Sequence, residues 1–426
     1  MKPAKITFKN ERISQKLEIQ FLTSTFGGGT ITNEAGQGSQ FKNADPETPI
    51  RVPSIRGQLR FWWRATSGAW SGSLEEMRER EQKIFGSTST PSSLSVSVDA
   101  GKVIPQPREI YETNSGQTSI KSKRGSEGLC YGAFSLTPQN KDIEKNHKKP
   151  GSLNDLTNAP WDLHLSFTSE YAADLELALA AWIAFGGIGG RTTRGFGQIA
   201  ITKAQSVISV SEILSKVSAK GSPFLGAIVP AIDPTNLVRF RSNQSGDDLL
   251  NEALSVFSAF RQGSDIARDP GPKPNQPKRS RWPEPDTIRD IQKRHSYGHK
   301  PVHEYAMVRC FPRAAFGMPI IFHFKDKKSG DPNDATLQPK GEKKERMRSP
   351  LQIAIGPDRT VTFLVLTAPR PTEVELKDEK QNITHQLSEG DRARLATRAP
   401  QVFTDTDPLK AFFNFVRQQK HDFIIH

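Results

Sequence analysis

Apolar and polar positions alternate through Leu17, Ile19 and Phe21, so residues 16–25 predict a strand. The period then changes. Over residues 53–66, at about 100° per residue, Ile55, Leu59, Trp62 and Thr66 fall in one stripe, the signature of a helix with one buried face. Ser54 is the expected N-cap, its hydroxyl able to accept an orphan backbone N–H. Residues 74–85 predict a second helix, and Leu94, Val96 and Val98 a strand. A strand is also expected at 129–137. Trp161, Leu163, Leu165 and Phe167 alternate as another, and 171–185, rich in Ala and Leu without Gly or Pro, is the clearest helix. It stops at Gly186, and a strand follows over about 196–201.

The second half mixes the same periods. Helices are expected at 247–262, 285–293 and 408–418, and strands at 319–324, 351–355 and 361–366. The polar stretches 101–128, 139–155, 268–281 and 325–349 read as loops, and Glu75, Glu76, Glu79 and Glu81, which flank Arg78 and Arg80, as a solvated helix face. The fold class is α+β. In the first half the order of elements suits a ferredoxin-like, RRM-related sheet with helices on one face. A border near 205–235 divides the chain into residues 1–225 and 226–426, the second half being a duplicated small α/β domain.

Charge changes the picture. The chain of 426 residues carries a formal +13, with a pI near 9.6, which favours nucleic acid or an acidic surface as partner. Its two cysteines exclude a disulfide framework and a Cys-rich zinc site. No apolar run reaches membrane-spanning length, and the first residues lack the apolar core of a signal peptide, so no membrane partner and a cytoplasmic location are expected.

Two constellations are candidates for binding a polyanion. Arg56, Arg60 and Arg64 recur every four residues beside Trp63, with Arg51 just upstream and no acidic residue from 51 to 74. Three like charges at that spacing repel, so helix stability does not explain them, whereas a phosphate backbone would, with Trp63 stacking on a base. The second is GGIGGRTTRGFG, 186–197. Gly186, Gly187, Gly189, Gly190, Gly195 and Gly197 leave main-chain N–H groups open to an anion, Arg191 and Arg194 add positive forks, and Thr192 and Thr193 add hydroxyls. A helix precedes this loop and a strand follows it, the reverse of dinucleotide and Walker loops, so no nucleotide cofactor is expected. Arg279 and Arg281, in a proline-rich basic stretch, are further phosphate candidates. His295, His299 and His303 are four apart, but Gly298 and Pro301 interrupt any helix there, so no metal site is assigned. No catalytic motif emerges, and His164 and His323 read as structural.

The helix SIRGQLRFWWRA together with the loop GGIGGRTTRGFGQ resembles the RAMP proteins of CRISPR systems, and within them the large two-domain RAMP subunit of the type III-B, or Cmr, module. Blocks at 280–283, 311–320 and 348–351 fit the same resemblance. It implies two tandem ferredoxin-like domains with long loop insertions. It also implies a non-catalytic RNA-binding role near the 3′ end of the guide RNA (crRNA), with complementary target RNA and other RAMP subunits as partners in a ribonucleoprotein of antiviral defence. The residues from Arg51 to Arg64 and from Gly186 to Gly197 map onto the RNA-facing surface of that family. The alternative is a metal-independent endoribonuclease of the same superfamily processing guide precursors, for which no His, Tyr and Lys constellation is evident.

Overall fold

The computed structural model describes residues 11–27, 48–113, 120–137, 150–203, 208–271, 278–324, 327–341, 346–367, 370–371, 373–377, 383–420 and 423–424. The chain is mixed α+β with several small antiparallel sheets. In the first half, β1 (Arg12–Phe21) leads to α1 (Val52–Thr66) and α2 (Leu74–Phe85), then β2 (Ser95–Asp99), α3 (Glu127–Gly132), β3 (Trp161–Thr168), α4 (Ala172–Phe185), β4 (Ile199–Ile201) and α5 (Val210–Ser218). The strands form one antiparallel sheet in the order β2-β3-β1-β4. Period-two alternation decides which face is covered: Leu17, Ile19, Leu163, Leu165 and Phe167 are buried beneath α1 and α4, while Ser14, Lys16, Ser97 and His164 lie on the other face.

The second half is again mixed helix and strand. β5 (Leu237–Arg241) is followed by α6 (Gly246–Gln262), α7 (Glu284–Gln292), β6 (Ile320–Phe322), β7 (Ala335–Pro339), β8 (Leu351–Ile355), β9 (Thr360–Val365), β10 (Val374–Leu376) and α8 (Pro408–Gln419). β8, β9 and β5 pair antiparallel in that order, and Phe423 bridges Phe240 on the free side of β5, where β4 stands in the first sheet. α6 and α8 cover this sheet through Phe257, Phe260 and Phe412, the Phe412 ring standing edge to face 5.4 Å from Phe257 and 5.3 Å from Phe260.

Two expectations are corrected. Residues 129–137 are not a strand: α3 and the 3₁₀ turn Phe134–Leu136 stand there. Gly132 allows the segment to press on α6, where a Cβ would come within 2.8 Å of Leu254 Cδ1, and Asn251 Oδ1 caps the N–H groups of Gly128 and Leu129 at 2.9 and 3.1 Å. The stretch 325–349 is not only a polar excursion, because β7 lies within it and pairs with β6 and β10 over a small core of Phe311, Phe322, Leu337 and Leu376. α5 occupies the expected border region, set by a capping box between Ser209 and Glu212. Packing is continuous there: Val229 and Ile232 join the first core, as do Ala354 and Leu364 from the second sheet.

A candidate nucleic-acid interface

α1 begins at Val52, with Pro53 in its first turn. Its N-cap is Arg51, which makes no side-chain cap bond, so Ser54 is corrected from N-cap to an exposed residue within the helix. Ile55, Leu59, Trp62 and Thr66 are buried as the stripe requires. Trp63 is buried as well, its ring 6.1 Å from Phe85 and its Nε1 donating to Asp174 Oδ2 at 3.3 Å. With no exposed face, it cannot stack on a base, and that expectation is corrected.

The arginines of α1 are engaged inside the protein. Arg56 donates to the carbonyl of Phe85 at 2.8 Å and that of Leu94 at 2.9 Å, capping the C-terminus of α2, where a cation also suits the helix dipole. Arg60 and Arg64 both pair with Glu81, Arg64 through two bonds of 2.9 and 2.8 Å. Their side chains remain 45% and 42% exposed, but Glu81 is 2% exposed. Glu81 therefore does not belong to a solvated face, and its sequence signal is that it stands four residues after Met77 and three before Ile84, in the apolar stripe of α2. One carboxylate beneath two guanidiniums removes half of their joint charge and fixes both heads toward α2. On a helix, Arg60 and Arg64 lie about 160° round α1 from Trp62. Trp62 faces Gly186, where a Cβ would come within 2.6 Å of its Nε1. A strand gripped between the arginine stripe and the glycine loop is thus excluded by the geometry.

Most of the glycine loop is frame. Gly186 donates to Trp182 O, Gly190 to Phe26 O, Gly195 to Thr192 O and Gly197 to Ser24 O, at 2.7–3.0 Å. A Cβ on Gly187 would stand 2.8 Å from Gly197 O, and at Gly197, with φ +68°, it would overlap the Ile188 carbonyl. The main-chain phosphate cradle is therefore corrected: these N–H groups are already spent and Gly186, Gly187, Gly195 and Gly197 are buried, as is Thr192. The accessible part is Gly189, Gly190, Arg191, Thr193 and some of Arg194.

The two arginines of the loop differ from those of α1. Arg191, in a left-handed conformation at φ 53°, donates to Gly132 O at 2.9 Å and Ser135 Oγ at 3.1 Å. Its guanidinium lies 5.1 Å from the Phe26 ring centre and 4.8 Å from that of Phe134. Arg194 donates to Thr193 O, Ser349 Oγ and Leu351 O and rests 4.9 Å over Phe257, between the two sheets. Among the described residues, neither pairs with a carboxylate. Burial lowers the pKa of both below the ordinary arginine value. Arg194 is a structural tie between the halves rather than an outward clamp; Arg191 sits half-buried at the exposed turn.

Arg279 and Arg281 are corrected too. Arg279 bonds Asp286 Oδ1 and Lys300 O, each at 2.6 Å, and Arg281 bonds Asp269 Oδ1 at 3.0 Å; both are largely buried. His299 Nδ1 sits 3.0 Å from Asp331, and among the described residues no three His, Cys, Asp or Glu side chains are placed to hold a metal. No helix among them is long and apolar enough to cross a membrane.

The model of the RAMP superfamily matches residues 18–200, from within β1 to within β4. The CRISPR system Cmr subunit Cmr1-1 of Pyrococcus furiosus is 28% identical over 247 residues, 57% of this chain and 64% of the relative, so the match spans less than two thirds of that protein. Subunit Cmr1-2 of the same organism is 28% identical over 172 residues, 39% of this chain and 91% of the relative. A crystal structure of Cmr1 from Pyrococcus furiosus aligns over 91% of this chain and 97% of its own, with 16% identity and a TM-score of 0.45. Residues 18–200 thus match the RAMP superfamily, and the chain is similar to Cmr subunits of CRISPR systems.

Proposed function

We propose that this chain is a non-catalytic, RNA-binding subunit of a type III-B (Cmr) CRISPR effector. It contacts crRNA near its 3′ end and supports target RNA binding beside other RAMP subunits. The observation that carries the reading is the RAMP match over the first sheet together with two Cmr relatives aligned to the same chain. The repeated strand order, with helices on one face of each sheet, supports a tandem of ferredoxin-like units divided near residue 225. A net charge of +13 supports a polyanionic partner. The contact surface proposed here is the turn Gly189, Gly190, Arg191 and Thr193, with exposed Arg51 as a secondary phosphate contact. Contacts of this kind are directed at the backbone, so binding has little sequence preference and falls steeply with salt. Titrating labelled single-stranded RNA with the full chain at several salt concentrations tests this. Log affinity falling linearly with log salt is expected, and no binding even at low salt would overturn it.

A further inference from the structure

We infer that Phe134 is a nucleobase-stacking platform, and that the base it holds belongs to the nucleotide whose phosphate meets Arg191. The inference rests on the RNA-binding reading and adds a residue and a mode of contact to it. Phe134 is 63% exposed, the more unusual because it lies in the 3₁₀ turn that closes a well-packed segment, between buried Ala133 and buried Leu136. One side of its ring is taken by the Arg191 guanidinium at 4.8 Å, which in turn covers Phe26 at 5.1 Å. The three groups form a stack, ring on cation on ring, that ends in an exposed ring.

Two physical features select the occupant. A flat exposed ring beside a positive charge suits an aromatic ligand bearing an anion, and a nucleotide is both: any base offers a π-face, and its phosphate is attached at fixed reach. Arg191 meets only neutral acceptors, Gly132 O and Ser135 Oγ, among the described residues, so its charge remains for an external anion. Gly190 is exposed and carries no side chain to obstruct the approach, and Thr193 supplies a hydroxyl close by in the chain. An apolar protein partner would use the ring but leave the half-buried cation without a counter-charge, so RNA fits the pair better.

The test is RNA binding by full-length Phe134→Ala, Phe134→Leu and Phe134→Tyr variants, each checked for an unchanged thermal midpoint. Leu keeps an apolar wall against Arg191 but removes the flat face; Tyr keeps both. Affinity is expected to fall about 5- to 100-fold in the Ala and Leu variants and to stay within about 2-fold in the Tyr variant. The salt slope is expected to stay constant throughout, because no phosphate contact is lost. Unchanged affinity in the Ala variant, or a slope flattened as in Arg191→Ala, would overturn the platform while leaving the RNA-binding reading intact. Failure of the unsubstituted chain to bind RNA would bring down both.

Discussion

The arginines of α1 and those of the glycine loop carry the same charge in opposite settings. Arg60 and Arg64 share the buried carboxylate of Glu81, and Arg56 caps the carbonyl end of α2. Arg191 and Arg194 stack on phenyl rings and bond neutral oxygens. A guanidinium held by a carboxylate fastens two helices and projects little field. One held by rings and carbonyls is fixed just as firmly but keeps its charge, which then acts on whatever lies outside. The regular stripe is therefore mostly scaffold, and the irregular loop holds the charge that no carboxylate meets among the described residues.

The largest effect separates the frame of the loop from its charge. Gly197→Ala forces a side chain at φ +68° against the Ile188 carbonyl, and is expected to cost more than about 3 kcal/mol, read as a collapse of the urea midpoint. Next is Glu81→Ala, which leaves two guanidiniums facing each other over a vacated site. Because both are almost half exposed, solvent screens part of the repulsion, and a loss of about 2 kcal/mol is expected by thermal denaturation. Its RNA affinity should hold or rise, since the arginines are released; a large fall would mean that the stripe works only in its present geometry. A smaller effect is expected from Arg194→Met, which loses three hydrogen bonds and a ring contact, about 1–2 kcal/mol of stability, with the salt slope of RNA binding unchanged. The smallest is a null result. Cys130 and Cys310 are buried and burial raises both thiol pKa values, so neither is expected to react with a thiol reagent at neutral pH until denaturant is added. Rapid labelling of Cys130 in native protein would show that the segment carrying Phe134 opens.

How much of this was legible in the sequence differs by link. Helix and strand periods and composition locate α1, α2, β3, α4, α6 and α8 to within a residue or two. They misread 129–137, where Leu129, Phe134 and Leu136 look strand-like but Gly128 and Gly132 admit a helix pressed on α6. That contact spans more than a hundred residues and leaves no local trace. At the site, the sequence named the arginines but not their partners. Glu81 was readable from its place in the apolar stripe of α2; the pairing of Asp174 with Trp63 was not, since it depends on α1 and α4 crossing. Phe134 carries no signal at all, because exposure of an aromatic is decided by packing alone.

The central claim, that the loop and not the helix presents charge to RNA, is tested most directly by the salt dependence of single-stranded RNA binding in Arg191→Ala beside the double variant Arg60→Ala/Arg64→Ala. Each phosphate contact on a single strand contributes about 0.7 to the slope of log affinity against log salt. The slope is expected to fall by about that amount in Arg191→Ala and to stay at the unsubstituted value in the double variant. A flattened slope in the double variant with none in Arg191→Ala would contradict the account.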